Sequence, residues 1–272
     1  MVAGLPWAKS NGDSPASRQA TKQKTMSPST IIEICIDAVD SALAAQNGGA
    51  QRVELCSNLL EGGVTPSAGL VTIVRKKISI GLQVIVRPRG GDFCYNEDEF
   101  DTMKQDIVTA KSCGADGIAV GLLNLDGTVD IARTSELVEL SNPLPVTFHR
   151  AFDVSTDLSK SLEHVITTGA KRILTSGGET SALKGAESLA QLVRQSAGRI
   201  IILAAGSIKG NNVREIVQKT GVQEVHAGLR TVISGRMKQS NKNISPGVSG
   251  MDESQRFVVL QENVMKLKQA LI

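Results

Sequence analysis

Four times along the chain a glycine followed by alanine or valine opens a short strand-like run: Gly49-Ala50, Gly114-Ala115, Gly169-Ala170 and Gly221-Val222. Glycine readily takes the left-handed conformation that closes a helix, so each pair reads as a helix end with a strand starting at once. The intervals are 65, 55 and 52 residues, each room for two strand–helix units. Further strand-like runs fall at 31–37, 82–87, 145–149 and 199–204, between the four that the glycines introduce. Eight strands alternating with helices predict a parallel (β/α)8 barrel, the TIM-barrel class of α/β fold. An open, doubly wound sheet is the alternative, and the fourfold recurrence favours closure. The total of 272 residues suits one such barrel. With 41% hydrophobic and only 3% aromatic residues, its core must be mostly aliphatic. The expected division is a disordered tail over 1–29 and a single barrel domain over 30–272. A polar stretch from Val232 to Ser254 reads as a long loop, and Phe257 to Leu271 as a closing amphipathic helix.

Charge narrows the partners. The net charge of +3 lies in the tail, where Lys9, Arg18, Lys22 and Lys24 face Asp13 alone. The body is balanced and offers no electrostatic footprint for nucleic acid. The first 28 residues hold no continuous apolar segment of the kind a secretory signal needs. No apolar run approaches the ~20 residues that span a bilayer, so no membrane association is expected. Four unclustered cysteines do not make a disulfide framework, which points to a reducing, cytoplasmic setting.

Strand alternation makes the interior unusual. In 31–37, Ile32, Ile34 and Ile36 share one face, and Glu33, Cys35 and Asp37 the other. In 52–56, Val53 and Leu55 oppose Glu54 and Cys56. Helices cover the outside of a barrel, so the aliphatic faces look outward and the polar faces fill the interior. Aligning the glycine-introduced strands places Glu54, Ala119, Leu174 and His226 at one inward level. Cys56, Gly121, Ser176 and Gly228 come next. The other strands add Glu33, Cys35, Ile85, Arg87, Thr147 and His149; the run at 199–204 is apolar on both faces and gives no phase. Buried charges cost several kcal/mol unless paired, so these groups must meet each other, a ligand or water. Barrel sites lie at the C-terminal ends of strands, where Arg87, Arg89, His149, Asp153, Thr175 and Ser176 fall.

Six motifs, Glu33-Ile-Cys-Ile-Asp37, Arg52-Val-Glu-Leu-Cys-Ser57, Glu61-Gly-Gly-Val-Thr-Pro66, Arg87-Pro-Arg-Gly-Gly-Asp-Phe93, Thr147-Phe-His-Arg-Ala-Phe-Asp153 and Ile173-Leu-Thr-Ser-Gly177, occur in order. Together they resemble the CutC family of copper homeostasis proteins over roughly residues 31–231. The resemblance implies a (β/α)8 barrel, a cytosolic role in copper handling and homo-oligomers; it implies no particular reaction. One departure is the segment Ala204-Ala205-Gly206-Ser207-Ile208, poorer in glycine than the family pattern.

Two functional readings result. Soft thiolates select Cu(I), and Cys35 and Cys56 on neighbouring strands can converge on one ion; against this stands the usual fate of free cysteine as a small buried hydrophobe. The second reading is an enzyme acting on a small anionic metabolite. Arg87 and Arg89 would clamp the anion and Glu54 and His149 exchange protons, with Asp153 or Glu54 orienting the imidazole. Glu33, Thr175 and His226 complete the candidate ligand-binding set. A non-catalytic scaffold using the tail or the polar loop ranks behind both.

Overall fold

The structure is a computed structural model that describes residues 1–4, 30–237, 252 and 254–272. The expected tail therefore lies almost wholly outside the described residues, as does most of the expected loop. Eight parallel strands close into a barrel in sequence order, β1 to β8. They are β1 (Ile31–Ile36), β2 (Arg52–Leu55), β3 (Gly81–Ile85), β4 (Gly117–Val120), β5 (Val146–Phe148), β6 (Arg172–Thr175), β7 (Ile201–Ala204) and β8 (Glu224–Ala227). The first seven helices follow β1 to β7 in turn: α1 (Val39–Asn47), α2 (Ala68–Lys77), α3 (Glu97–Ser112), α4 (Ile131–Ser141), α5 (Leu158–Thr167), α6 (Ala186–Ser196) and α7 (Val213–Thr220).

Local chemistry sets the boundaries. Ser67, Asn96, Asp130 and Asp157 each accept a backbone N–H at the start of their helix, satisfying a donor that the helix cannot. The glycines of the recurring pair adopt φ of +89°, +90°, +85° and +73° at Gly49, Gly114, Gly169 and Gly221, the left-handed closure that the repeat predicts.

The chain's last part departs from expectation. Residues Arg230–Ser234 (β9) and Gln255–Val259 (β10) pair as an antiparallel ribbon, and the closing helix α8 (Gln261–Leu271) starts only afterwards. The expected loop thus begins as a strand, and the expected helix starts four residues late.

The two barrel faces are cleanly sorted. Ile32, Ile34, Ile36, Val53, Leu55, Val84, Ile118, Phe148, Ile173 and Val225 belong to one apolar layer between strands and helices. Inside the barrel, Cys56, Ile85 and Ala119 form one small apolar cluster, and Leu174, Leu203 and Ala205 another. That settles β7: Leu203 points in, while Ile202 and Ala204 join the outer layer.

Candidate metal centre and the cavity beside it

The barrel floor is a charge network. Arg52 donates through Nε to Glu33 Oε2 and through Nη2 to Glu224 Oε2 at 2.5 Å, and Arg172 Nε reaches the same Glu224 oxygen at 3.0 Å. Arg52, Arg172 and Glu224 stand two residues before Glu54, Leu174 and His226 in the glycine alignment, hence on the same face. They form a level below the one that the sequence pattern marks as inward.

Above the floor, Glu33 is 2% exposed and holds His226 Nδ1 at 2.7 Å. Burial alone would raise its pKa, but the His226 hydrogen bond and the Arg52 charge bring it down to about 2. Glu33 is therefore an ionised anchor whose oxygens are spent inside the protein. For His226 burial works against the proton, yet Cys35 and Glu33 together carry its pKa well above the ordinary value. Its Nε2 lies 3.8 Å from Glu54 Oε2.

The next level holds the thiols. Cys35 sits opposite Glu54 in the β1–β2 register, and Cys56 follows β2, its N–H continuing the ladder to the Ile36 carbonyl at 2.9 Å. Their sulfurs are 3.9 Å apart, and Cys56 Sγ is 3.7 Å from Glu54 Oε2. One donor atom from each of Cys35, Glu54 and Cys56 lies within 4.8 Å of the others. The hydrogen bond from Cys56 pulls the Cys35 pKa down and holds the Cys56 proton in place, raising its own. Burial pushes Glu54 up to about 8 despite the charge of His226, so its carboxyl is protonated at neutral pH. Two bonds of about 2.3 Å, a zinc–thiolate length, reach across the observed sulfur separation without either strand moving. A pair of soft sulfurs, Cys56 buried and Cys35 half-buried, thus fits a soft ion.

A cavity of about 320 Å³ opens above this cluster, lined on one side by Cys35, Glu54 and His226 and on the other by Arg87 and His149. His149 extends β5, its N–H bonding the Val120 carbonyl at 2.7 Å. Gly121 makes room for it, since a Cβ there would come within 2.4 Å of the imidazole. Neither Asp153 nor Glu54 orients the ring. The Ala151 N–H donates to Nδ1 at 3.2 Å, placing the proton on Nε2, which has no partner among the described residues. Burial and the Arg87 charge push its pKa down to about 3. His149 and Glu54 therefore face the cavity as two neutral groups.

Arg87 and Arg89 do not act together. Arg87 donates to the carbonyls of Glu61, Gly63 and Gly91 and stacks 4.8 Å over Phe93. Arg89 turns outward to Glu99 and Asp92 and does not line the cavity. Asp153 accepts from Thr175 Oγ1, the N–H groups of Ser176 and Gly178, and Arg150 Nε at 2.7 Å. Its lone pairs are occupied in holding the loop after β6, and Thr175, wholly buried, is part of that clasp.

The sequence profile of the CutC family matches residues 30–231. The chain belongs to the CutC family. It is 45% identical over 219 residues to the copper homeostasis protein cutC homolog of Mus musculus, covering 80% of each chain. It is 43% identical over 241 residues to a CutC family protein of Chromobacterium violaceum, covering 89% of this chain and 98% of that one. Among solved structures, a CutC of Streptococcus agalactiae superposes with a TM-score of 0.69 at 32% identity, covering 73% of this chain and 98% of its own. Among the described residues, no helix of this CutC protein is long and apolar enough to cross a membrane.

The state of His149 has a measurable consequence. Its folded pKa of about 3 lies below the ordinary 6.5. Between those values the unfolded chain binds the extra proton, so stability falls as pH drops through 6.5 and goes on falling to about 3. Chemical unfolding at pH 8 and pH 5 should show the wild type losing about 2 kcal/mol more than His149→Asn. Equal losses would mean that the ring is protonated in place.

Proposed function

We propose that this protein binds Cu(I) as its cargo, held by Cys35 and Cys56 inside the barrel, as part of copper homeostasis. The observation that carries the reading is the pair of sulfurs 3.9 Å apart on neighbouring strands, Cys56 buried and Cys35 lining a cavity. Thiolates prefer Cu(I) to harder ions, and two of them suffice at low coordination number. The surroundings favour capture: Cys35 is biased toward thiolate, and Glu54, protonated, adds no second anion at rest. Glu33 fixes His226 from behind and so fixes the group that faces the sulfur. Free thiols of this kind suit a reducing compartment, in keeping with a cytoplasmic role, and we include self-association of the barrels in the proposal.

X-ray absorption at the copper K-edge of protein loaded anaerobically with one Cu(I) per chain tests the ligand set. The expected spectrum has an edge typical of Cu(I) and a first shell dominated by two sulfurs. A first shell of nitrogen and oxygen alone would exclude the thiol pair.

A further inference from the structure

We propose that the cavity beside the thiol pair is a binding site for a small organic carboxylate, received by the Nε2–H of His149 and the Nε–H of Arg87. Both residues are 4% exposed, and among the described residues neither nitrogen has a hydrogen-bond partner. Both side chains line the cavity and share the Phe93 ring, Arg87 at 4.8 Å and the imidazole at 5.2 Å between centroids. Native interiors rarely leave two buried donors unmet in one place, and such a pair is matched by an acceptor from outside.

The charge balance agrees. Arg87 meets three carbonyls, and among the described residues it forms no ion pair with a carboxylate. The Tyr95 hydroxyl comes near the same guanidinium without completing a hydrogen bond. A buried guanidinium without a counter-ion is costly, and one negative charge offsets it. A phosphate dianion would bring more charge than Arg87 can neutralise. The remaining lining holds the exposed Glu61 and the Asp153 carboxylate, already paired with Arg150, beside the apolar Ile85, Phe93, Val154 and Leu174, which suit a hydrocarbon or aromatic body rather than a bare ion. Arg150 stands at the mouth, half-exposed and tied to Asp153 and Ser176, so the way in passes a second cation. The proposal invokes no metal, and its failure would leave the copper reading untouched.

The test is calorimetric titration of metal-free, full-length protein with acetate, butyrate, benzoate and phenylacetate, and with inorganic phosphate as the tetrahedral comparison. At least one of the larger carboxylates should bind one per chain with a Kd of about 1 mM or tighter, and acetate at least about tenfold more weakly. His149→Asn keeps an acceptor for the Ala151 N–H and removes the Nε2–H, and should weaken that binding at least about tenfold. In the wild type the same carboxylate should shift the His149 Nε2–H proton resonance, a readout that needs no variant to fold. The proposal is overturned if no carboxylate binds, if phosphate alone binds, or if His149→Asn binds as the wild type does while the resonance stays unmoved.

Discussion

Replacing Arg52 with methionine should cost about 3–5 kcal/mol of folding stability, the largest effect expected of any single change in the barrel interior. Arg52 is 7% exposed and bridges Glu33 on β1 to Glu224 on β8, spanning the seam where the barrel closes. Methionine matches the stem but not the charge. The two carboxylates would then stay buried, with only Arg172 and His226 against them among the described residues. Breaking a buried pair on one side is costly because the remaining charge keeps its desolvation penalty and loses its partner. The deficit should narrow at acidic pH, where the abandoned carboxylates can take up protons. Denaturant unfolding at pH 7.5 and pH 5 measures both effects. A loss below about 1 kcal/mol at pH 7.5 would place Arg52 among surface-like ion pairs, contrary to the network described here.

Much of this was readable beforehand, for physical reasons that differ from residue to residue. The four glycines revealed the architecture because left-handed closure leaves few alternatives to glycine. Alternation correctly turned Glu54 and His226 inward because they stand at fixed distances from those glycines. The same count places Arg52, Arg172 and Glu224 inward, but at the first strand position a charged residue looks like a solvated end. The phase of β7 is hidden in the sequence because both its faces are aliphatic; the packing of Leu203 inside the barrel, and its pairing with Glu224, settle it. The joint role expected of Arg87 and Arg89 rested on both lying at the C-terminal end of the third strand. The strand stops at Ile85, so both stand in the following loop, where nearness in sequence does not fix a common direction. The partners of Arg87 are carbonyls from two loops, which no side-chain pattern encodes. The β9–β10 ribbon was missed because its polar residues read as loop and its two halves are far apart in sequence.

The thiol pair carries the functional account, and its removal should have the second large effect. Cys35→Ser leaves one sulfur and substitutes a hard, protonated oxygen for the more acidic of the two thiols. Cu(I) affinity should fall by more than about 100-fold, beyond what the loss of a merely orienting neighbour causes. Cys56→Ser should do the same from the β2 side. The other two cysteines serve as internal controls: Cys94 lies in the loop before α3 and Cys113 caps the C-terminus of α3. Serine at either position should leave the affinity unchanged, since neither belongs to the buried cluster. The deciding measurement is anaerobic competition with a chromophoric Cu(I) chelator, comparing the wild type with Cys35→Ser/Cys56→Ser. The account predicts one tightly held Cu(I) per chain in the wild type and none in the double variant. Equal retention by both proteins would contradict it.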